Sequence, residues 1–241
     1  ADLMIDGKMV KTILHAPKNG FFYVINRETG KLISADPYVE TSWATHIDLA
    51  TGRPVEVPGA RYENGPADIT PGALGGHNWQ SMSFNPTTGL VYLPTIHTSL
   101  NYSDEGSDLK TWQNKEFRRG TGVKISPSEK QPREYPGSLQ AWDPVKKRMI
   151  WSVPQKDVWN AGTLTTAGNL VFQGRGDGKF VAYHAETGDT LWTFDAGLGI
   201  SAPPITYSVK GRQYIALLVG WGGAYAGMLS AESGWAYGVH A

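Results

Sequence analysis

Short apolar runs recur along the chain, each rich in β-branched or aromatic residues and each bounded by Gly, Pro, Asn or Asp. They fall at Lys11 to His15, Phe21 to Ile25, Leu90 to Leu93, Leu139 to Trp142, Leu170 to Gln173, Phe180 to Tyr183 and Tyr214 to Val219. Strand-length runs with turn signals at both ends predict β-strands. No stretch keeps a helical period over 11 residues; residues 39–50 are the least β-like and remain turn-prone.

The runs belong to longer repeats. Ala141 to Trp151 (AWDPVKKRMIW) aligns without gaps with Ala182 to Trp192 (AYHAETGDTLW), 41 residues later, and Val24 to Ser34 (VINRETGKLIS) is a third copy, 158 residues before Ala182 and close to four periods of 40. Leu90-Val91-Tyr92 and Leu170-Val171-Phe172 repeat at an offset of 80. Each copy reads as a strand, a tight turn (closed by Thr29-Gly30 and Thr187-Gly188 in two of them) and a second strand, which ends in Trp151 or Trp192 in two of them. A period near 40 with four short strands per unit is the pattern of a propeller blade, and the terminal Trp can wedge between neighbouring blades. The fold expected is all-β: a β-propeller of four-stranded antiparallel blades, about four of them. Residues 94–136 read as one polar insertion, a loop able to cap the propeller, whose Lys110, Lys115, Arg118, Arg119 and Lys124 form a solvated basic face.

Composition narrows the function classes. Gly (29), Pro (15) and nine Trp suit a turn-rich β protein, while 40% hydrophobic residues with balanced charge exclude a disordered chain. Net charge is zero, which argues against a nucleic-acid partner. No apolar run is long enough for a transmembrane segment, and no signal-peptide pattern opens the chain at Ala1. The chain has no Cys, so it carries no disulfide, thiolate metal site, cysteine nucleophile or covalent haem of its own. The six His show neither HxH nor HExxH spacing, against a zinc site. Gly174 to Gly178 (GRGDG) lies between two expected strands, so it reads as a hairpin turn, not a phosphate loop. There is no G-x-S-x-G elbow.

Four motifs carry a resemblance. Ala16 to Ile25 (APKNGFFYVI), His77 to Pro86 (HNWQSMSFNP), Trp159 to Gly174 (WNAGTLTTAGNLVFQG) and Gly220-Trp221-Gly222-Gly223 resemble signatures of the quinoprotein alcohol dehydrogenases, and the Ala182 repeat resembles that family's tryptophan-docking motif. The likeness is strongest to the quinohaemoprotein branch. It implies PQQ-dependent oxidation of alcohols to aldehydes within an eight-bladed propeller, of which this chain resembles the C-terminal half.

PQQ is a flat tricarboxylic quinone, so its pocket needs cations, donors and a stacking face. The resemblance places Lys18, Asn78, Trp79, Trp221 and Gly222 at the cofactor. Lys18 would approach the quinone oxygens, the Asn78 amide and Trp79 would meet the cofactor, and the Gly-rich run would let backbone approach a flat ligand. Trp159 and Asn160 are placed near the channel mouth. The family's catalytic Asp, its calcium (or lanthanide) ligands and its adjacent-cysteine disulfide belong to the half preceding Ala1, so no catalytic or metal-ligating residue is assigned here, and the isolated chain is expected to be inactive. Haem c would reside in a separate domain or protein. The resemblance also implies a small alcohol substrate, a cytochrome c electron acceptor and a periplasmic location. Ser34 stands where the first repeat should have its docking Trp. Half a propeller exposes raw blade edges, which predicts pairing with the N-terminal half or with a second copy. The competing function is a non-catalytic propeller scaffold, which would have no use for Lys18 or His77-Asn78-Trp79.

Overall fold

A computed structural model describes residues 1–62, 64–105 and 124–221. Among them there is no helix. Three sheets have four strands in simple up-and-down antiparallel order. The first contains β1 (Asp2–Ile5), β2 (Lys8–His15), β3 (Phe21–Asn26) and β4 (Leu32–Pro37). A hairpin follows, β5 (Ala44–Ile47) with β6 (Pro54–Glu56), and then the short β7 (Ala67–Ile69). The second four-stranded sheet joins β8 (Ser83–Asn85) and β9 (Leu90–Ile96) to β12 (Gly137–Asp143) and β13 (Arg148–Gln155). Between β9 and β12 lie β10 (Leu100–Ser103) and β11 (Lys124–Pro127), which pair with β7 in a small sheet of their own. The third blade is β14 (Thr163–Thr166), β15 (Leu170–Gly174), β16 (Lys179–His184) and β17 (Thr190–Asp195); a hairpin, β18 (Ile205–Val209) and β19 (Arg212–Ala216), follows it.

The sequence repeats are the third and fourth strands of these blades. Val24 pairs with Ser34, Ala141 with Trp151 and Ala182 with Trp192, and each ladder slips by a bulge at the next residue. One turn serves every copy. The Asn26 and Asp143 carboxamide and carboxylate oxygens accept two backbone N–H groups of the turn, and the turn closes on a residue with positive φ: Gly30, Lys147 and Gly188. The same device occurs at Asp48 to Gly52 and Asn85 to Gly89. The first of these makes the β5–β6 hairpin, inside a stretch that lacks a clean strand pattern.

Blades pack face to face through aromatic rings. Phe22 of the first blade stacks on Trp142 of the second at 5.7 Å. Trp151 lies against the third blade, where a Cβ on Gly188 would come within 2.8 Å of its ring, so glycine is required for this approach as well as for φ +78°. Innermost strands meet too: Ser83 bonds Thr163 and Asn85 bonds Thr165, each pair 80 residues apart.

The spacing of the repeats resolves into blade steps, and one reading of it is corrected. The offset of 80 is one blade step, lengthened by the excursion between β9 and β12. The offset of 158 is two blade steps, not four, because residues 38–82 and 97–136 lie between. The excursion also begins later than residue 94: Pro94, Thr95 and Ile96 complete β9 and pair with β12. It is not a plain loop, since it contains β10 and β11. Of the five basic residues named above for it, only Lys124 lies among the described ones. Gly222 and Gly223 lie outside them.

Candidate functional site

The site is built on two loops. The first, Pro17 to Gly20, joins β2 to β3. Asn19 caps it, its side-chain oxygen accepting the Phe21 amide at 3.1 Å and its amide donating to the Tyr23 hydroxyl at 2.8 Å. The Trp43 indole donates to the Asn19 carbonyl at 2.9 Å, and the buried Tyr38 hydroxyl donates to the Pro17 carbonyl at 2.7 Å. Burial pushes the Tyr38 hydroxyl well above its ordinary pKa, so it stays a donor. These bonds fix the backbone on both sides of Lys18.

The second loop, Pro71 to Trp79, runs toward β8 and is dense in glycine. It presses directly on the first. A Cβ on Gly75 would fall 2.5 Å from Lys18 Cβ and 2.6 Å from its Cα, and Gly75 also has φ +82°. Only glycine fits there. The Gly76 amide donates to the Lys18 carbonyl at 3.0 Å. On its far side this loop rests on the end of β9: the Gly72 amide donates to the Thr98 carbonyl and the Ile96 amide to the Gly76 carbonyl, both at 2.8 Å. His77 Nδ1–H donates to the Pro94 carbonyl at 2.7 Å. His77 is buried, and desolvation lowers its pKa, so the neutral ring is the resident form.

The residues singled out in the sequence meet along this second loop. Lys18 Nζ reaches the Ala73 carbonyl at 3.3 Å, and its side chain is otherwise exposed. Among the described residues no carboxylate pairs with it. The Asn78 amide donates to the Leu74 carbonyl at 2.8 Å, while its oxygen accepts the Trp79 backbone N–H. Trp79 is 53% exposed, a large fraction for an indole, and its ring centroid is 6.1 Å from that of Trp159. Trp159 and Trp221 are buried with Ile96, and Leu74 packs against them. Lys18, Asn78, Trp79 and Trp221 are thus linked through residues 73–79. Asn160 faces another way, accepting the Gly176 amide and donating to the Asp157 carbonyl; it braces the β15–β16 turn. That turn, Arg175 to Gly178, is a hairpin turn as expected.

Sequence reasoning passed over Tyr38 and Gly75, and took His77 only as part of the His77-Asn78-Trp79 motif with no role of its own; all three hold the site without facing it. The density of glycine in residues 71–76, next to His77-Asn78-Trp79, was the available signal. What the loops present is an unpaired ammonium, an amide and an exposed indole backed by two buried indoles. That donor set suits a flat, anionic, aromatic ligand.

A family model for the glucose/ethanol/alcohol dehydrogenase β-propeller domain matches residues 58–215. The chain belongs to the PQQ-dependent alcohol dehydrogenase propeller family. As a member of it, the chain is 51% identical over 223 residues to a quinohemoprotein alcohol dehydrogenase, ADH IIB, of Pseudomonas putida, covering 92% of this chain and 32% of that protein. The crystal structure of quinohemoprotein alcohol dehydrogenase from Comamonas testosteroni matches with a TM-score of 0.83 and 46% identity over 94% of this chain and 34% of that one. A europium-containing methanol dehydrogenase matches with a TM-score of 0.78 and 32% identity, over 91% of this chain and 38% of that one. The chain therefore spans about a third of the length of the relatives it matches. Among the described residues the architecture is three four-stranded blades followed by the β18–β19 hairpin, against the roughly four blades expected from the repeats.

Among the described residues no three His, Cys, Asp or Glu side chains converge on a point where they could hold a metal ion.

Proposed function

We propose that this chain supplies the C-terminal wall of the quinone pocket in a PQQ-dependent enzyme that oxidises alcohols to aldehydes. The observation that carries the reading is the convergence of Lys18, Asn78 and Trp79 on residues 73–79, with Lys18 exposed and in no ion pair among the described residues. Bound PQQ supplies the two-electron acceptor for the alcohol's hydride. The chain's own residues bind and orient it. The Lys18 ammonium would hold the quinone oxygens and would favour negative charge growing there as the cofactor is reduced. The Asn78 amide keeps acceptor and donor capacity to satisfy a carboxylate or carbonyl edge. Trp79 offers a face, held by Trp159 behind it.

The rest of the reaction lies with the N-terminal half of the propeller: the Asp base that takes the alcohol proton, and the ligands of a calcium or lanthanide ion that polarises the quinone. The europium named for one relative supports the metal. Electrons leave one at a time to a cytochrome c, whose haem sits in a separate domain or protein. The enzyme works in the periplasm.

The test is to add PQQ and calcium to the chain alone and to the chain combined with the N-terminal half, recording the quinone spectrum and dye-linked ethanol oxidation. Cofactor binding and turnover are expected only with both halves. Turnover by the chain alone overturns the placement of the base. No quinone binding by the combined halves overturns the pocket.

A further inference from the structure

We propose that His97 is a positioning residue for the quinone-facing loop, acting through the end of β9 and not by touching the cofactor. The role rests on the pocket proposed above; the geometry does not.

His97 is 3% exposed, and its partners Thr95 and Ser138 are 2% and 0% exposed. Its Nε2 is 2.8 Å from Ser138 Oγ and 3.2 Å from Thr95 Oγ1. Thr95 Oγ1 is also 2.6 Å from Ser138 Oγ and donates to the Ser138 carbonyl at 3.1 Å. Tyr135 meets the His97 ring edge-on at 5.6 Å, and Arg133 bonds the Tyr135 hydroxyl. Such a buried polar cluster is costly unless satisfied, and this one adds nothing to the ladder, since Thr95 and Ser138 are already paired through their backbones. Its effect falls just beyond. The β9–β12 ladder ends at Ile96 and Gly137. Past that point the His97 amide donates to the Pro136 carbonyl, and the imidazole then ties its strand to β12.

The segment so fixed is the one that carries the second loop. The carbonyls of Pro94 and Thr98 accept His77 and Gly72, the Ile96 amide donates to Gly76, and Ser99 Oγ bonds Thr70 Oγ1. Asn78 and Trp79 follow directly. Releasing His97 therefore frees the platform under both.

The experiment compares His97→Leu, His97→Gln and Val181→Ala, the last a core truncation in the third blade chosen to lower Tm without touching this cluster. Hydrogen exchange is read at Gly72 and Ile96. In His97→Leu these two amides should exchange about tenfold faster than in Val181→Ala at equal global stability, and His97→Gln, whose amide can reach Ser138, should restore most of the protection. Uniform loss of protection in both variants overturns the positioning role. Quinone binding by the combined propeller halves is the second readout, with His97→Leu weaker by about tenfold. If the unmutated halves bind no quinone but the exchange difference persists, the positioning of the loop stands and the pocket reading falls. If they bind it and His97→Leu binds equally well, the role of His97 at the site is overturned.

Discussion

The Trp151 indole donates its N–H to the Ala185 carbonyl at 2.9 Å, from the last strand of one blade to the turn of the next. The bond closes a contact in which the ring also stacks on Tyr92 and covers Gly188. Trp192 holds the same register position in the following blade but is 49% exposed. Trp151→Phe should therefore lower the stability of the chain by about 1–3 kcal/mol, through a lost buried hydrogen bond and a partly emptied site. Trp192→Phe should cost well under that. Denaturant midpoints of the two variants check the contrast, and equal losses would refute it.

The shared turn makes a second prediction. Gly30 and Lys147 occupy its left-handed position at φ +73° and +58°. An L-residue is strained there by about 1–2 kcal/mol, which Gly avoids. Gly30→Ala should lower stability by about 1 kcal/mol and Lys147→Gly should raise it by a similar or smaller amount. Thermal unfolding reads both, and the opposite signs are the point of the comparison.

Gly75→Ala strikes the site itself. The added methyl meets the Lys18 main chain at 2.6 Å, which cannot yield as a flexible side-chain tip could. The loop should shift, with a stability loss of about 1–3 kcal/mol and weakened quinone binding. Fluorescence of Trp79 and its neighbours would report the displacement.

Lys18→Ala separates binding from folding. Its ammonium makes one long bond to Ala73 and no ion pair among the described residues. Stability should change by less than about 0.5 kcal/mol. Affinity for PQQ in the combined halves should fall by about tenfold or more, and Lys18→Arg should retain part of it. Unchanged affinity in Lys18→Ala would remove this residue from the pocket.

Acid should weaken the protein at unusually mild pH. Burial, with some help from the Arg133 charge, pushes His97 down to about 4, and burial lowers His77 as well. An unfolded His takes up its proton near pH 6.5, whereas the folded rings resist. Stability from these groups is therefore complete above about pH 6.5 and falls as the pH drops toward 4. His97 alone accounts for about 3 kcal/mol across that window. The carboxylates held low, such as Asp48 and Asp68, lose their contributions only further down. A Tm profile between pH 4 and 8 should slope in the unmutated chain and flatten in His97→Gln.

Much of the fold was legible because the blade repeat is local. The pairing of Ala141 with Trp151, or of Ala182 with Trp192, is a hairpin with its own turn chemistry, visible in eleven residues. The β5–β6 hairpin was not, since its residues alternate poorly and only Asp48 and Gly52 mark it. Within the site, Lys18, Asn78, Trp79 and Trp221 stood out by motif. Tyr38 and Gly75 did not, and His77 stood out only as part of a motif: the roles of all three are contacts made far along the chain, which no local pattern encodes.

The sequence by itself determined the strands, their turns and the blade unit, because strand alternation, Asx turns and left-handed glycines are set by near neighbours. It also determined which side chains bear the chemistry. Only the tertiary structure decided how far apart the repeats stand in blade steps, since that depends on where the excursion between β9 and β12 leaves and rejoins its sheet. Only it decided that residues 71–79 rest on the end of β9 and press on Lys18, because that contact joins segments about 55 residues apart through backbone bonds available to any sequence.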